Sequence, residues 1–180
     1  MLIHVNLFCQ TDNEFWFAAP EISYQFSSAS GVTSNHRDRP IQLVLTCFDQ
    51  RAHVTICQPA NLNFPIIHKI VPADTFLIVD LTPYIDIIEN KPADSVLPYG
   101  LLITSDNPIT ANYEITHYST PYGNGAMYVL KGKNALGYDF IIPSQTLYPN
   151  FPYCDPPARN CFDIVAVEDS TQITITHLRS

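Results

Sequence analysis

Charge is what this chain has least of. Charged residues make up 14% of its 180 positions, against roughly a quarter in an ordinary globular protein. Helix bundles spend Glu, Lys and Arg on their wet faces, so this scarcity argues against that class. Positive charge is the scarcer sign. Nine Lys and Arg stand against 17 Asp and Glu, a net charge of -8. An acidic surface repels phosphate, so nucleic acid and anionic membranes are disfavoured as partners. Long apolar runs are also missing. No stretch approaches the about 18 residues of a membrane-spanning helix, so membrane insertion is not expected. Hydrophobic residues, by contrast, reach 46%, enough to fill a core and to exclude disorder. The 15 prolines suit a β protein with long ordered loops.

Catalytic signatures are absent too. There is no GxSxG, no SxxK and no phosphate-cradling glycine loop. Gly123-Asn124-Gly125 is too short for a cradle. Histidines 4, 36, 53, 68, 117 and 177 are scattered, and none is paired at metal-ligand spacing. Acidic residues cluster at Asp80, Asp86 and Glu89 and again at Glu168-Asp169. No DxDxD run accompanies them. Asp86 and Glu89 read as decoration of a wet helix face, and Glu168-Asp169-Ser170-Thr171 as turn-capping oxygens. The expectation is a chain with no metal, no cofactor and no catalysis.

The pattern that is present has period two. Ile41, Leu43, Leu45 and Cys47 alternate with polar or smaller residues, as in a strand with one buried face. Asp49-Gln50-Arg51-Ala52 reads as a turn. Val54 and Ile56 then face inward, with His53, Thr55 and Cys57 opposite, which predicts a β-hairpin. Cys47 and Cys57 fall on opposite faces, so they are not expected to pair. Further strands are predicted at 14–19, 66–71, 76–80, 101–105, 110–116, 126–131, 138–142, 162–168 and 172–177. Turn signals between them include Pro72-Ala73-Asp74, Asp106-Asn107-Pro108 and Glu168-Asp169-Ser170. Thr82 as N-cap and Pro83 at the first position predict one short crossover helix near 83–90, with Ile85 and Ile88 facing the core. The expected fold is all-β: an antiparallel β-sandwich, Ig-like or jelly-roll-like. A division into two packed halves near 118–125 stays open. Residues 1–11 read equally as the tail of a signal peptide or as an edge strand.

Two long loops stand out, 27–39 and 147–160. The first is polar and reads as flexible. The second is rich in proline and aromatics, and loops of such length are often functional. Tyr118, Tyr122, Tyr148, Phe151 and Tyr153 lie in or beside predicted loops and form the candidate ligand-binding set. Tyrosine gives large contact area at low entropic cost. Packing of the loop against the body is the competing reading. Cys154 and Cys161 bracket CDPPARNC. They are the candidate disulfide, worth about 2–3 kcal/mol on the loop-entropy model.

The order of several short motifs adds a resemblance. It begins at Glu14-Phe15-Trp16-Phe17-Ala18-Ala19-Pro20-Glu21. Asp80-Leu81-Thr82, Glu89-Asn90-Lys91-Pro92 and Pro98-Tyr99-Gly100-Leu101 follow. Pro108-Ile109-Thr110-Ala111-Asn112-Tyr113-Glu114, Asn134-Ala135-Leu136-Gly137 and Ile142-Pro143-Ser144-Gln145 come next, and Phe162-Asp163-Ile164-Val165-Ala166-Val167 closes the series. Across residues 12–177 this succession resembles the N-terminal domain family of IgGFc-binding proteins. The resemblance implies an extracellular β domain of a large secreted or surface protein; bacterial members belong to adhesive cell-surface proteins. It implies no catalytic residues, and the CDPPARNC cysteines are not part of the pattern. It also implies a unit that continues beyond Ser180. The leading expectation is a non-enzymatic adhesion or ligand-binding module at the cell exterior, with a protein or glycan ligand. The alternatives are a spacer packing against neighbouring domains of the same longer chain and, behind it, a carbohydrate-active jelly-roll enzyme.

Overall fold

The computed structural model describes residues 10–117, 125–143, 153–155 and 161–176. The chain is all-β. Its strands are β1 (Asp12–Phe17), β2 (Ala19–Pro20), β3 (Gln25–Ser27), β4 (Thr33–Ser34), β5 (Ile41–Cys47), β6 (Ala52–Cys57), β7 (Ile67–Val71), β8 (Phe76–Asp80), β9 (Glu89–Asn90), β10 (Leu101–Thr116), β11 (Gly125–Val129) and β12 (Cys154–Asp155).

The long strand β10 organises the main sheet. Its C-terminal half pairs with β5, from Ile115↔Ile41 to Ile109↔Cys47. Its N-terminal half pairs with β6, from Ser105↔Val54 to Leu102↔Cys57. On the opposite flank lie β11 and then β1, because Asn112 pairs with both Val44 and Val129, and Thr104 with both Thr55 and Glu14. Outermost are β8 on β5 and β7 on β6. All of these pairings are antiparallel. The sheet is thus four lanes wide: β7 with β8, β5 with β6, β10, and β1 with β11.

This arrangement corrects the predicted hairpin. β5 and β6 do not pair with each other; they follow one another along the same side of β10. The chain reverses at 58–66 instead, where buried Gln58 donates to the carbonyls of Ile87 (2.7 Å) and Tyr99 (2.8 Å). Residues 48–51 and 72–75 do not reverse the chain; they are breaks in two collinear strands, the second holding a local turn at Ala73–Asp74, and they face each other. Cys47 N–H bonds Thr75 O at 3.0 Å, and Asp74 N–H bonds Phe48 O at 2.7 Å. The Asp106-Asn107-Pro108 signal lies at the same level inside β10, which runs on as one strand rather than two. Asp74 takes φ 54, the left-handed conformation that Asp tolerates better than most residues.

Period two survives the break in β10. Leu101, Ile103, Ile109, Ala111, Tyr113 and Ile115 all point inward and are buried. They meet Ile41, Leu43, Leu45 and Cys47 of β5 and Ala52, Val54 and Ile56 of β6 in one core, as their alternation predicts. The four residues 48–51 change the inward parity from odd to even. The inward set is therefore legible only strand by strand.

The crossover at Thr82–Ile87 is a 3-10 helix, and Ile85 and Ile88 are buried as expected. Thr82 is not its cap. The N-cap is Leu81, and Thr82 Oγ1 accepts from Ile41 N–H (3.1 Å). Two small sheets complete the fold: antiparallel β12-β3-β4 and the parallel pair β2-β9. The first places a hairpin inside the segment 27–39. Its turn closes through Ser28 N–H to Val32 O (2.8 Å), with Gly31 at φ 82. Three predicted strands are absent. Residues 138–142, 162–168 and 172–176 are extended or irregular, without ladder partners among the described residues. The turn between the last two does form, Thr171 Oγ1 donating to Glu168 O at 2.7 Å.

Candidate functional site

The small sheet β12-β3-β4 gathers aromatic and cationic side chains on the segment 24–39. β12 pairs Cys154 with Phe26 and Asp155 with Gln25. This brings Tyr153 to Phe26, ring centroids 6.1 Å apart at 59°. The Arg37 guanidinium carbon lies 5.0 Å from the Phe26 ring centroid. Tyr24 meets His36 edge-on at 4.8 Å, with Tyr24 Oη and His36 Nε2 3.2 Å apart. Arg39 sits 5.8 Å from the Tyr24 ring. Tyr24 and Tyr153 remain 39% and 37% exposed, enough for each ring to touch a ligand.

Arg37, Asp38 and Arg39 have different fates. Arg39 grips Asp38 with Nε (3.1 Å) and Nη2 (2.9 Å). That bidentate bond holds Asp38, which is buried, and raises the Arg39 pKa against the desolvation that lowers it. Arg37 has no carboxylate partner among the described residues. Its Nε is buried without an acceptor.

Beneath this face lies a buried acid that sequence reasoning put on a wet helix surface. Glu89 is only 1% exposed. The 3-10 helix ends before it, and β9 carries it inward against Ala19 of β2. Its Oε2 meets Lys91 Nζ at 3.3 Å, but that ammonium also serves Asp86 at 3.2 Å. Among the described residues Oε1 has no hydrogen-bond partner, nor has the buried hydroxyl of Tyr113. Burial pushes the Glu89 carboxyl up to about 7, Lys91 only partly opposing it. Burial likewise pushes the Tyr113 phenol far above its ordinary value, with the Glu89 charge adding to the effect. The Tyr113 ring packs against Phe17 at 4.9 Å. No local sequence pattern announces this cluster, because its members come from 38, 89, 91 and 113.

Of the predicted ligand set, Tyr153 falls on this face. Tyr118, Tyr122, Tyr148 and Phe151 lie outside the described residues. Cys154 and Cys161 are not bridged in this structure. Their surroundings differ. Cys154 is fixed in β12 beside Phe26, whereas Cys161 stands near Asp163 and Glu21, whose charges help burial to raise its pKa. Cys47 and Cys57 are unpaired as well.

The outer face of the main sheet offers a second polar group. His53 Nδ1 lies 2.6 Å from Asp106 Oδ2, and His53 N–H donates to Asp106 Oδ1 at 2.7 Å. The histidine hydrogen bond holds the Asp106 carboxyl below its usual range. No nucleophile joins this pair among the described residues, so its geometry is that of a strap across the sheet break. Beside it, an open depression of ≈ 380 Å³ is lined by His53, Thr55, His68 and Ile70 among others. Among the described residues no three His, Cys, Asp or Glu side chains are arranged to hold a metal ion.

No protein-family model matches the chain, and no curated protein matches it. A solved structure from Thermotoga maritima, "Thermotoga maritima 1070", is similar to it at TM-score 0.40 and 10% identity. The likeness spans 67% of this chain and 96% of that one.

Proposed function

We propose that this chain is a non-catalytic, extracellular ligand-binding or adhesion module, with the β12-β3-β4 face as its ligand surface. The observation that carries the reading is the gathering of half-exposed Tyr24 and Tyr153 around Phe26 and Arg37 on one small sheet. Aromatic and arginine side chains concentrate where binding energy is made. The motif succession that resembles the IgGFc-binding family supports an exterior setting, and the missing nucleophile and phosphate motifs support a non-catalytic role. Glycan and glycoprotein arrays probed with the purified chain test it. Binding that Tyr153→Ala or Tyr24→Ala weakens at least tenfold is expected. A folded chain that binds nothing, or binds equally well without both rings, overturns it.

A spacer role is the second reading, and one observation favours it. Tyr138, Ile141, Ile164, Ile173 and Ile175 are exposed, Tyr138 and Ile141 almost fully. Neighbouring domains of a longer protein would cover them. Hydrogen exchange then slows across 138–142 and 162–176 when those domains are present, and an unchanged rate refutes the spacer.

A further inference from the structure

We infer that the β12-β3-β4 face recognises an acidic saccharide, taking a sugar carboxylate on the Arg37 guanidinium. The inference rests on reading that face as the ligand surface, and it names the class of ligand.

Positive charge is scarce in this chain, and most of what surrounds the site is already spent. Arg39 is consumed by Asp38, and Lys91 by Asp86 and Glu89. Among the described residues, Arg37 alone of these cations has no carboxylate partner, in a chain whose acids outnumber its bases 17 to nine. It is nevertheless held in place. Its N–H bonds Tyr24 O at 3.0 Å, and its guanidinium lies over Phe26. Its Nε is buried and unpartnered, and among the described residues neither terminal nitrogen is held by a carboxylate. A planar guanidinium fixed by stacking is prepared for a two-pronged bond to a carboxylate, and little entropy is lost on binding.

The surroundings favour a sugar over other anions. Tyr153 lies against the Phe26 ring and Tyr24 takes the Arg37 N–H on its carbonyl; both rings keep exposed aromatic area, which suits the C–H face of a pyranose. The net negative field opposes any anion at long range, so this site must work through contact geometry rather than steering. A diffuse polyanion is the wrong ligand for it.

The test uses the whole chain and measures binding calorimetrically to sialyllactose, trigalacturonate, their methyl esters, lactose, a dextran sulfate oligomer and a Glu-rich peptide. At least one of the two acidic sugars should bind. Its methyl ester and the Arg37→Gln variant should each weaken binding tenfold or more, with the melting temperature of the variant within a few degrees of the parent. Arg37→Lys keeps the charge but loses the fork, and is expected to recover only part of the loss. Neutral esters binding as well as the acids would overturn the inference. If Tyr153→Ala still abolished that binding, the face would remain the ligand surface. Preference for the sulfated oligomer or the peptide overturns the sugar-carboxylate assignment, and failure of both acidic sugars to bind does the same. Binding unaffected by Arg37→Gln, Tyr24→Ala and Tyr153→Ala alike would remove the face itself.

Discussion

A carboxyl group buried beside an amine that it must share has little to hold its charge. Glu89 is in that position, with Lys91 divided between it and Asp86. Its folded pKa, about 7, lies above the ordinary 4.5. Below pH 4.5 both folded and unfolded chains carry the proton. Between 4.5 and 7 the unfolded chain releases it first, so unfolding gains and stability falls as pH rises. Above 7 the penalty is complete, on the order of 3 kcal/mol. Glu89→Gln should therefore be nearly neutral at pH 4.5 and stabilising by about 1–3 kcal/mol at pH 8, read from urea midpoints. Equal effects at both pH values would refute it. Gly132 makes an independent residue-scale case. It takes φ 56, and an added Cβ would collide with the Asp12 side chain, which accepts the Lys133 N–H at 2.8 Å. Gly132→Ala should cost about 1–3 kcal/mol, through backbone strain and the displaced carboxylate together. A midpoint unchanged by this substitution would show that Asp12 can move without cost.

Elements were legible where one face is buried and one is wet. The β5 boundaries and the inward residues of β6 follow from alternation, and β8 from a short apolar run between turn signals. Turn chemistry is ambiguous because the same residues serve a break and a reversal. Asp106-Asn107-Pro108 carries the signal of a turn, yet its side chains stitch the sheet. Asn107 donates to Arg51 O at 2.9 Å, Asp106 holds His53, and Asn13 donates to Ser105 O at 3.0 Å. No sequence signal distinguishes these from turn caps, because the partners lie more than 50 residues away in all four bonds. Asp106→Ala removes both bonds to His53. Faster hydrogen exchange at the His53 amide is expected, with the Ile41–Cys47 amides unchanged. No acceleration at His53 would mean that the break is held by Asn107 and packing alone. The candidate face was half legible for the same reason. Tyr153 stands out in the aromatic, proline-rich loop of the sequence, but Phe26 and Arg37 reach it only through β12 pairing with β3, a long-range contact with no periodic trace.

At the scale of the whole molecule, two pH effects oppose each other. The chain carries a net charge of -8 at neutral pH and a pI near 5.0. Repulsion between copies keeps them apart at pH 8 and vanishes at about pH 5. The apolar surface available for association is considerable. Phe76 and Ile78 lie on edge strand β8, Ile70 on edge strand β7, and Ile164, Ile173 and Ile175 on the turn-forming segment 161–176. An open edge with exposed apolar side chains pairs readily once charge no longer prevents it. Glu89, meanwhile, is neutral in the fold at pH 5, where the monomer is most relieved of its buried charge. The folded state should therefore become more stable from pH 8 toward pH 5 while its solutions scatter more light. Urea midpoints and static light scattering on the same samples separate the two. Replacing Ile78 with Lys on the β8 edge should suppress the scattering at pH 5 without changing the pH slope of the midpoint. Glu89→Gln should flatten the slope and leave the scattering in place. If both substitutions moved both readouts, association and the buried acid would be one linked process rather than two.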